Sequence, residues 1–186
     1  GTQITGLTTT QVQALTTSQI QSVATAAIQA LSVDQIFGLI TAQIAAIGTD
    51  QLAALTAKQI GGMEAADVQA LSSTQLQSLS TTQVRALTSA QTTALTSSQV
   101  KALTTTQVNA LSSAQVKALD TVDLAAMGTD QIQAMSTAGV AGLSTDQMTA
   151  LTSTQFKSMA ATQLAVLSNS QIKTLDTVDL AQLSSD

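Results

Sequence analysis

Cysteine, histidine, proline, tryptophan and tyrosine are all absent from this 186-residue chain, and Phe37 and Phe156 are its only aromatics. Without cysteine there is neither a disulfide framework nor a thiolate metal site. Hydroxyl groups are plentiful, but neither histidine nor cysteine is present to build the usual nucleophile-and-base pair around them. Charge is scarce too, at 9% of residues against about a quarter in ordinary globular domains. Six basic residues against eleven acidic ones leave a net charge of −5. A nucleic-acid surface needs a basic face that displaces counterions, and six scattered cations do not supply one. No unbroken apolar run reaches membrane length. Hydrophobic residues nevertheless make up 44% of the chain, and a disordered chain has low hydrophobicity and high charge instead.

What the chain does contain is one phrase, repeated. "LTTTQVQAL" begins at Leu7 and is followed by "LTTSQIQSV", then by "LSSTQLQSL", "LTSSQVKAL" and "LTTTQVNAL". The period is eight residues, with no insertion or deletion. With positions labelled a to h from Leu7, position a is apolar in all 23 copies, mostly Leu. Position b is Ser or Thr in 15 of them, e is mostly Gln, f is Val, Ile, Leu, Met or Phe apart from Thr92, and h is small. A short fixed period is expected of a stacked array.

A continuous helix fails on phase, because eight residues at about 100° each turn the apolar stripe by about 80° per repeat. A β-solenoid would place Ala and Gln in its strands and find no steady Gly for its corners. A very short helix accounts for every position. Ser or Thr at b is an N-cap. Gln at e, three residues later, completes a capping box, and the apolar residues at a and f form a hydrophobic staple across it. The charges segregate accordingly. All acids lie at b, d or e, and five of the six bases lie at g: Arg85, Lys101, Lys117, Lys157 and Lys173. Acids early and bases late suit a helix dipole. Gly48, Gly128, Asp120 and Asp176 are acceptable caps; Ala24, Ile40 and Ala160 predict weaker starts.

The expected fold is therefore all-α: a solenoid of very short capped helices, one per eight-residue repeat. Such helices are unstable alone and must pack on their neighbours. A single non-helical cap residue is expected between helices, with Leu at a and Val or Ile at f inside and Ser, Thr and Gln outside. Residues 1–186 read as one continuous array without a linker. A 56-residue super-repeat (64–119 and 120–175) is visible in the acidic pairs Glu64/Asp67, Asp120/Asp123 and Asp176/Asp179, and in Lys101/Lys157 and Lys117/Lys173. Duplication of a seven-unit block explains it; so do seven units forming two turns.

Paired carboxylates can serve acid–base catalysis or bind Ca²⁺, which makes Asp120/Asp123 and Asp176/Asp179 the candidate pairs. Positions b and e are also the capping-box positions, and Asp is expected to serve there structurally. Gly61, Gly62, Gly139 and Gly142 lack phosphate-loop spacing. The methionines, at a and f, and Phe156, at f, are expected in the core. Phe37, at g, is either an exposed contact or packed on a neighbouring coil. Ser and Thr interchange at b, c and d, against the lattice match an ice-binding face needs. No catalytic, cofactor or metal site is expected.

The phrase "LTTTQVQALTTSQIQ", continued from Gln3 to Asp186, resembles octapeptide arrays of very large bacterial surface and secreted adhesin-like proteins. The resemblance implies an extracellular or cell-surface stalk, extender or fibre. With no histidine, the haem role attached to some such proteins is not implied. "LTTTQVQAL" also resembles the first helix of transcription-activator-like effector repeats, whose period is more than four times longer and whose binding surface is basic. The expected function is structural and not enzymatic, as a filament subunit or a stalk of a giant secreted adhesin. The alternative is a module binding peptide, glycan or ice through its Ser/Thr/Gln surface. The expected partners are other copies of the chain or flanking domains. The array begins and ends in phase without a polar cap, as expected of a cut segment or of a subunit whose ends bury each other.

Overall fold

A computed structural model describes residues 2–175 and residue 177. Among the described residues the chain forms one 3-10 turn, Thr2–Gly6, and 21 short α-helices with no strand; the helices run from α1 (Thr9–Gln13) to α21 (Asn169–Ile172) in chain order. The all-α fold and the assignment of one helix to each octapeptide hold. In α2 (Thr17–Ser22), for example, Thr16 has extended backbone (φ −73, ψ 158) and its hydroxyl accepts from the Gln19 N–H at 3.2 Å. The Gln19 Oε1 accepts from the Thr16 N–H at 2.8 Å, closing the capping box. The weak starts are as expected: Ala24, Ile40 and Ala160 stand at N-caps without a side-chain bond. Ile40 and Ala160 keep only the return half of the box, through Gln43 and Gln163.

The connection differs from expectation. Where a helix runs for six residues, two extended residues separate it from the next, not one. Leu87 (φ −58, ψ 130) follows α10 (Thr81–Ala86), and Thr88 (φ −71, ψ 163) caps α11 (Ser89–Thr93). Position a leaves the helix so that its side chain can enter the core; Leu87 is buried. Its N–H still bonds back to the Val84 carbonyl at 3.2 Å.

The described residues fall into two compact units, Gly1–Ala94 and Leu95–Asp186, and the eight-residue period runs through both. In the first unit each helix packs on the one three further along: α2 on α5 (Thr41–Ala46), α5 on α8 (Ala65–Ala70), α8 on α11. In the second unit α12 (Ser97–Ala102) packs on α15 (Thr121–Ala126), α15 on α18 (Thr145–Ala150), and α18 on α21. Both cores are built alike. Most residues at f, such as Ile44, Leu52, Val100 and Phe156, are almost wholly buried, and so are most of those at a, including Met63, Met127, Met135 and Met159. Each such side chain contributes about 1.5–3 kcal/mol on burial, which is what a helix of this length lacks on its own. Thr92, the polar exception at f, is buried and bonds its hydroxyl to the Thr88 carbonyl of its own helix at 2.9 Å.

Small residues near the helix ends let coils approach closely. A Cβ on Gly142 would lie 2.8 Å from the Ser113 carbonyl oxygen and 2.9 Å from its Cα. These are backbone atoms, so a side chain there would force the two segments apart.

Candidate functional site

Glutamine at position e is where the outside-facing expectation fails. Gln43, Gln51, Gln83, Gln147 and Gln163 are all buried, because the amide works in two directions. The Gln83 Oε1 accepts from the Ser80 N–H at 2.8 Å, within its own capping box. The same residue's Nε2 donates to the carbonyls of Leu52 at 3.0 Å and Leu55 at 2.7 Å, 31 and 28 residues earlier. In the same register Gln43 reaches Val12 and Leu15, and Gln51 reaches Ile20 and Val23. In the second unit Gln131 reaches Val100 and Leu103, and Gln155 reaches Leu124 and Met127.

The physical reason lies in the helix length. A helix of five or six residues consists almost entirely of termini, whose first N–H and last C=O groups have no partner inside the helix. Buried, each such group needs one. The glutamine amide joins an N-cap N–H of its own coil to C-terminal carbonyls of the coil before. The amide of Gln83 reaches back 28 and 31 residues while helices three apart pack on one another, so within each unit a turn takes between three and four octapeptides.

From Gln35 onward, among the described residues, the ladder is interrupted at Asp67, Asp123 and Gly139, where e is not Gln. A carboxylate has no hydrogen to donate backward. The Asp67 carboxylate accepts instead from the Thr41 hydroxyl at 2.9 Å and from the Glu64 N–H at 3.2 Å. Asp123, its counterpart seven repeats on, accepts from the Ser97 hydroxyl at 2.5 Å. Asp120 makes no side-chain cap bond, against expectation. In an ordinary box the cap hydroxyl donates to the Gln Oε1, as Thr16 does to Gln19 at 3.1 Å; two carboxylates in those places repel. At Gly139 the space is filled by neighbours, since an added Cβ would lie 2.9 Å from Met135 Cγ and 3.2 Å from Val116 Cγ2. At Asp67 it is not filled. An open cleft of about 660 Å³ lies there, lined by residues of α1, of α4 (Val33–Phe37), of the α4–α5 connection and of α8. Its lining includes Asp34, Phe37, Ile40, Glu64 and Asp67.

The sequence-derived candidates are thus separated. Asp176 and Asp179 lie outside the described residues. Asp120 and Asp123 remain in helix-start positions, with Asp123 bonded to a neighbouring coil. Phe37 is exposed, resolving the two alternatives for it, and Phe156 and the methionines are core. Among the described residues no three His, Cys, Asp or Glu side chains converge on a possible metal position, and no helix is long and apolar enough to cross a membrane. Sequence reasoning missed the Asp67 cleft. Its signal was present as a coincidence: residues 37, 40 and 67 all depart from the repeat, at three different positions of it.

No curated protein matches the chain. Residues 60–97, 93–121 and 116–153 match the ALTTAQ repeat, and together they span just over half of the sequence. The matched segments contain the box residues and the ladder glutamines Gln83, Gln91, Gln131 and Gln147, so the family pattern coincides with the groups that hold the coils together. On this match, and on the helix-per-octapeptide architecture that accompanies it, the chain belongs to the ALTTAQ repeat family.

Proposed function

We propose that this array is an extracellular structural element, a stalk or extender of a cell-surface protein, that carries out no reaction of its own. The observation that carries it is the glutamine ladder. Within each unit, coil after coil is bonded to the one before by the same amide in the same register, so a coil is added without any new kind of interface. Stability in such arrays is a sum of unit and nearest-neighbour terms. The Ser/Thr surface, the absence of cysteine and the resemblance to bacterial surface arrays support an extracellular location.

A second form of the same role is a filament subunit, in which copies stack coil on coil. Leu7, Leu15 and Val23 are only half-buried, whereas Leu31 and Leu39 at the same repeat position are buried. Gln11 and Gln19 are exposed. A cleft of about 470 Å³, lined by Leu7, Leu15, Gln19 and Val23 among others, opens on that side. Its chemistry matches another octapeptide coil, from the same polypeptide or from a second copy. A second copy would make a heterologous contact that does not close on itself.

Electron microscopy of the purified chain tests both forms. Isolated short rods support the stalk, and long fibres with a regular axial repeat support the filament. Shapeless particles overturn both.

A further inference from the structure

The cleft at Asp67 combines features that stacking does not require. Of the five large hydrophobic side chains exposed among the described residues, two, Phe37 (56% exposed) and Ile40 (45%), line this one cleft. Both stand where the repeat carries something else: Phe37 at g, a place of Gln, Ala or Lys, and Ile40 at b, a place of Ser or Thr. Replacing the cap hydroxyl at b by Ile gives up a helix-start hydrogen bond. Asp67 replaces the ladder amide, so the carbonyls of Ile36, Phe37 and Leu39, which stand in the register a ladder glutamine would reach, receive no donor from it. It also puts a carboxylate at 2% exposure against two neutral donors. Asp34 and Glu64 line the same cleft, and no basic side chain does.

We propose that this cleft binds a peptide segment in which an arginine side chain stands between apolar residues. The carboxylates of Asp34, Glu64 and Asp67 define a negative, partly desolvated site without a cation of its own, and a buried charge favours an opposite partner. A guanidinium offers five donors in a planar fork and tolerates desolvation better than an ammonium group. It is chemically suited to the vacated rung, where a carboxylate and backbone carbonyls are all acceptors. The exposed ring of Phe37 suits it as a cation–π face, and Ile40 suits the flanking apolar side chains. A metal ion fits less well, because the three carboxylates do not converge.

The test is a titration of ¹⁵N-labelled full chain with the blocked tripeptide acetyl-Leu-Arg-Leu-amide, and separately with acetyl-Leu-Glu-Leu-amide. The arginine peptide is expected to shift amides of residues 34–41 and 64–67, and the glutamate peptide to shift none of them. Asp67→Gln restores the repeat and its backward donor, so the fold is retained while the arginine peptide weakens on the order of tenfold or more. Phe37→Gln, also a return to the repeat, is expected to weaken it about threefold. Three results would overturn the proposal: no shifts with the arginine peptide, equal shifts around Asp50, Asp130 and Asp146, or unchanged affinity in Asp67→Gln. None of these readouts depends on whether the array is a stalk or a filament.

Discussion

Gln83 and Asp67 occupy the same position of the repeat, two octapeptides apart, and both are buried, yet they serve opposite ends of the design. Gln83 has an acceptor for its own N-cap and a donor for the preceding coil, and it uses both. Asp67 has acceptors only. It takes the Glu64 N–H and a neighbouring hydroxyl, and an open cleft lies beside it. One missing N–H group separates a seam from a candidate site. In an array held by termini, a single side chain and the packing around it decide whether a coil boundary is closed; at Gly139 neighbours close it without any amide.

Breaking an intact rung should have the largest effect. Gln83→Leu keeps the bulk but strands the Leu55 carbonyl and the Ser80 N–H and leaves the Leu52 carbonyl with the Leu55 N–H alone, and is expected to cost about 3–5 kcal/mol. The urea midpoint should fall accordingly, with hydrogen exchange rising first around residues 52–55 and 80. Gly142→Ala drives a methyl group into the Ser113 backbone and should cost about 2 kcal/mol, read from the same midpoint. Ser80→Ala removes only the hydroxyl half of a box whose other half survives and should cost about 1 kcal/mol.

The interrupted rung should move the other way. Asp67→Gln is expected to stabilise the chain by about 1 kcal/mol, observed as a higher midpoint, while it closes the cleft to the arginine peptide. A loss of stability would mean that Thr41 and Glu64 hold Asp67 more firmly than the ladder would hold glutamine. The smallest effect belongs to the dipole. Lys101, exposed in the last turn of α12, changed to Glu should cost about 0.5 kcal/mol at low ionic strength. That cost should shrink as salt is added.

Much of this was legible because the repeat is short and its chemistry local. Ser or Thr at b, Gln at e, and apolar residues at a and f specify a helix start within one octapeptide, through partners only a few positions away. The missing hydroxyls at Ala24, Ile40 and Ala160 could be recognised for the same reason. The burial of the e glutamines could not. A capping box uses only the oxygen of the amide, and nothing within one octapeptide shows where the nitrogen goes. Phe37 was ambiguous on similar grounds, since exposure at g depends on a neighbouring coil several repeats away. The carboxylates at Asp67 and Asp123 looked like box members; that each also takes a hydroxyl from 26 residues earlier needed the winding.

The sequence by itself determined the unit: an all-α octapeptide with its cap, staple and core residues, because hydrogen bonds and contacts three or four positions apart are encoded in spacing alone. The tertiary structure decided the packing of each helix on the one three further along within each unit, the inward placement of the glutamines, and the coincidence of Phe37, Ile40 and Asp67 at one cleft. Those depend on which carbonyl lies opposite which amide after a full turn, a matching between coils that no single repeat contains.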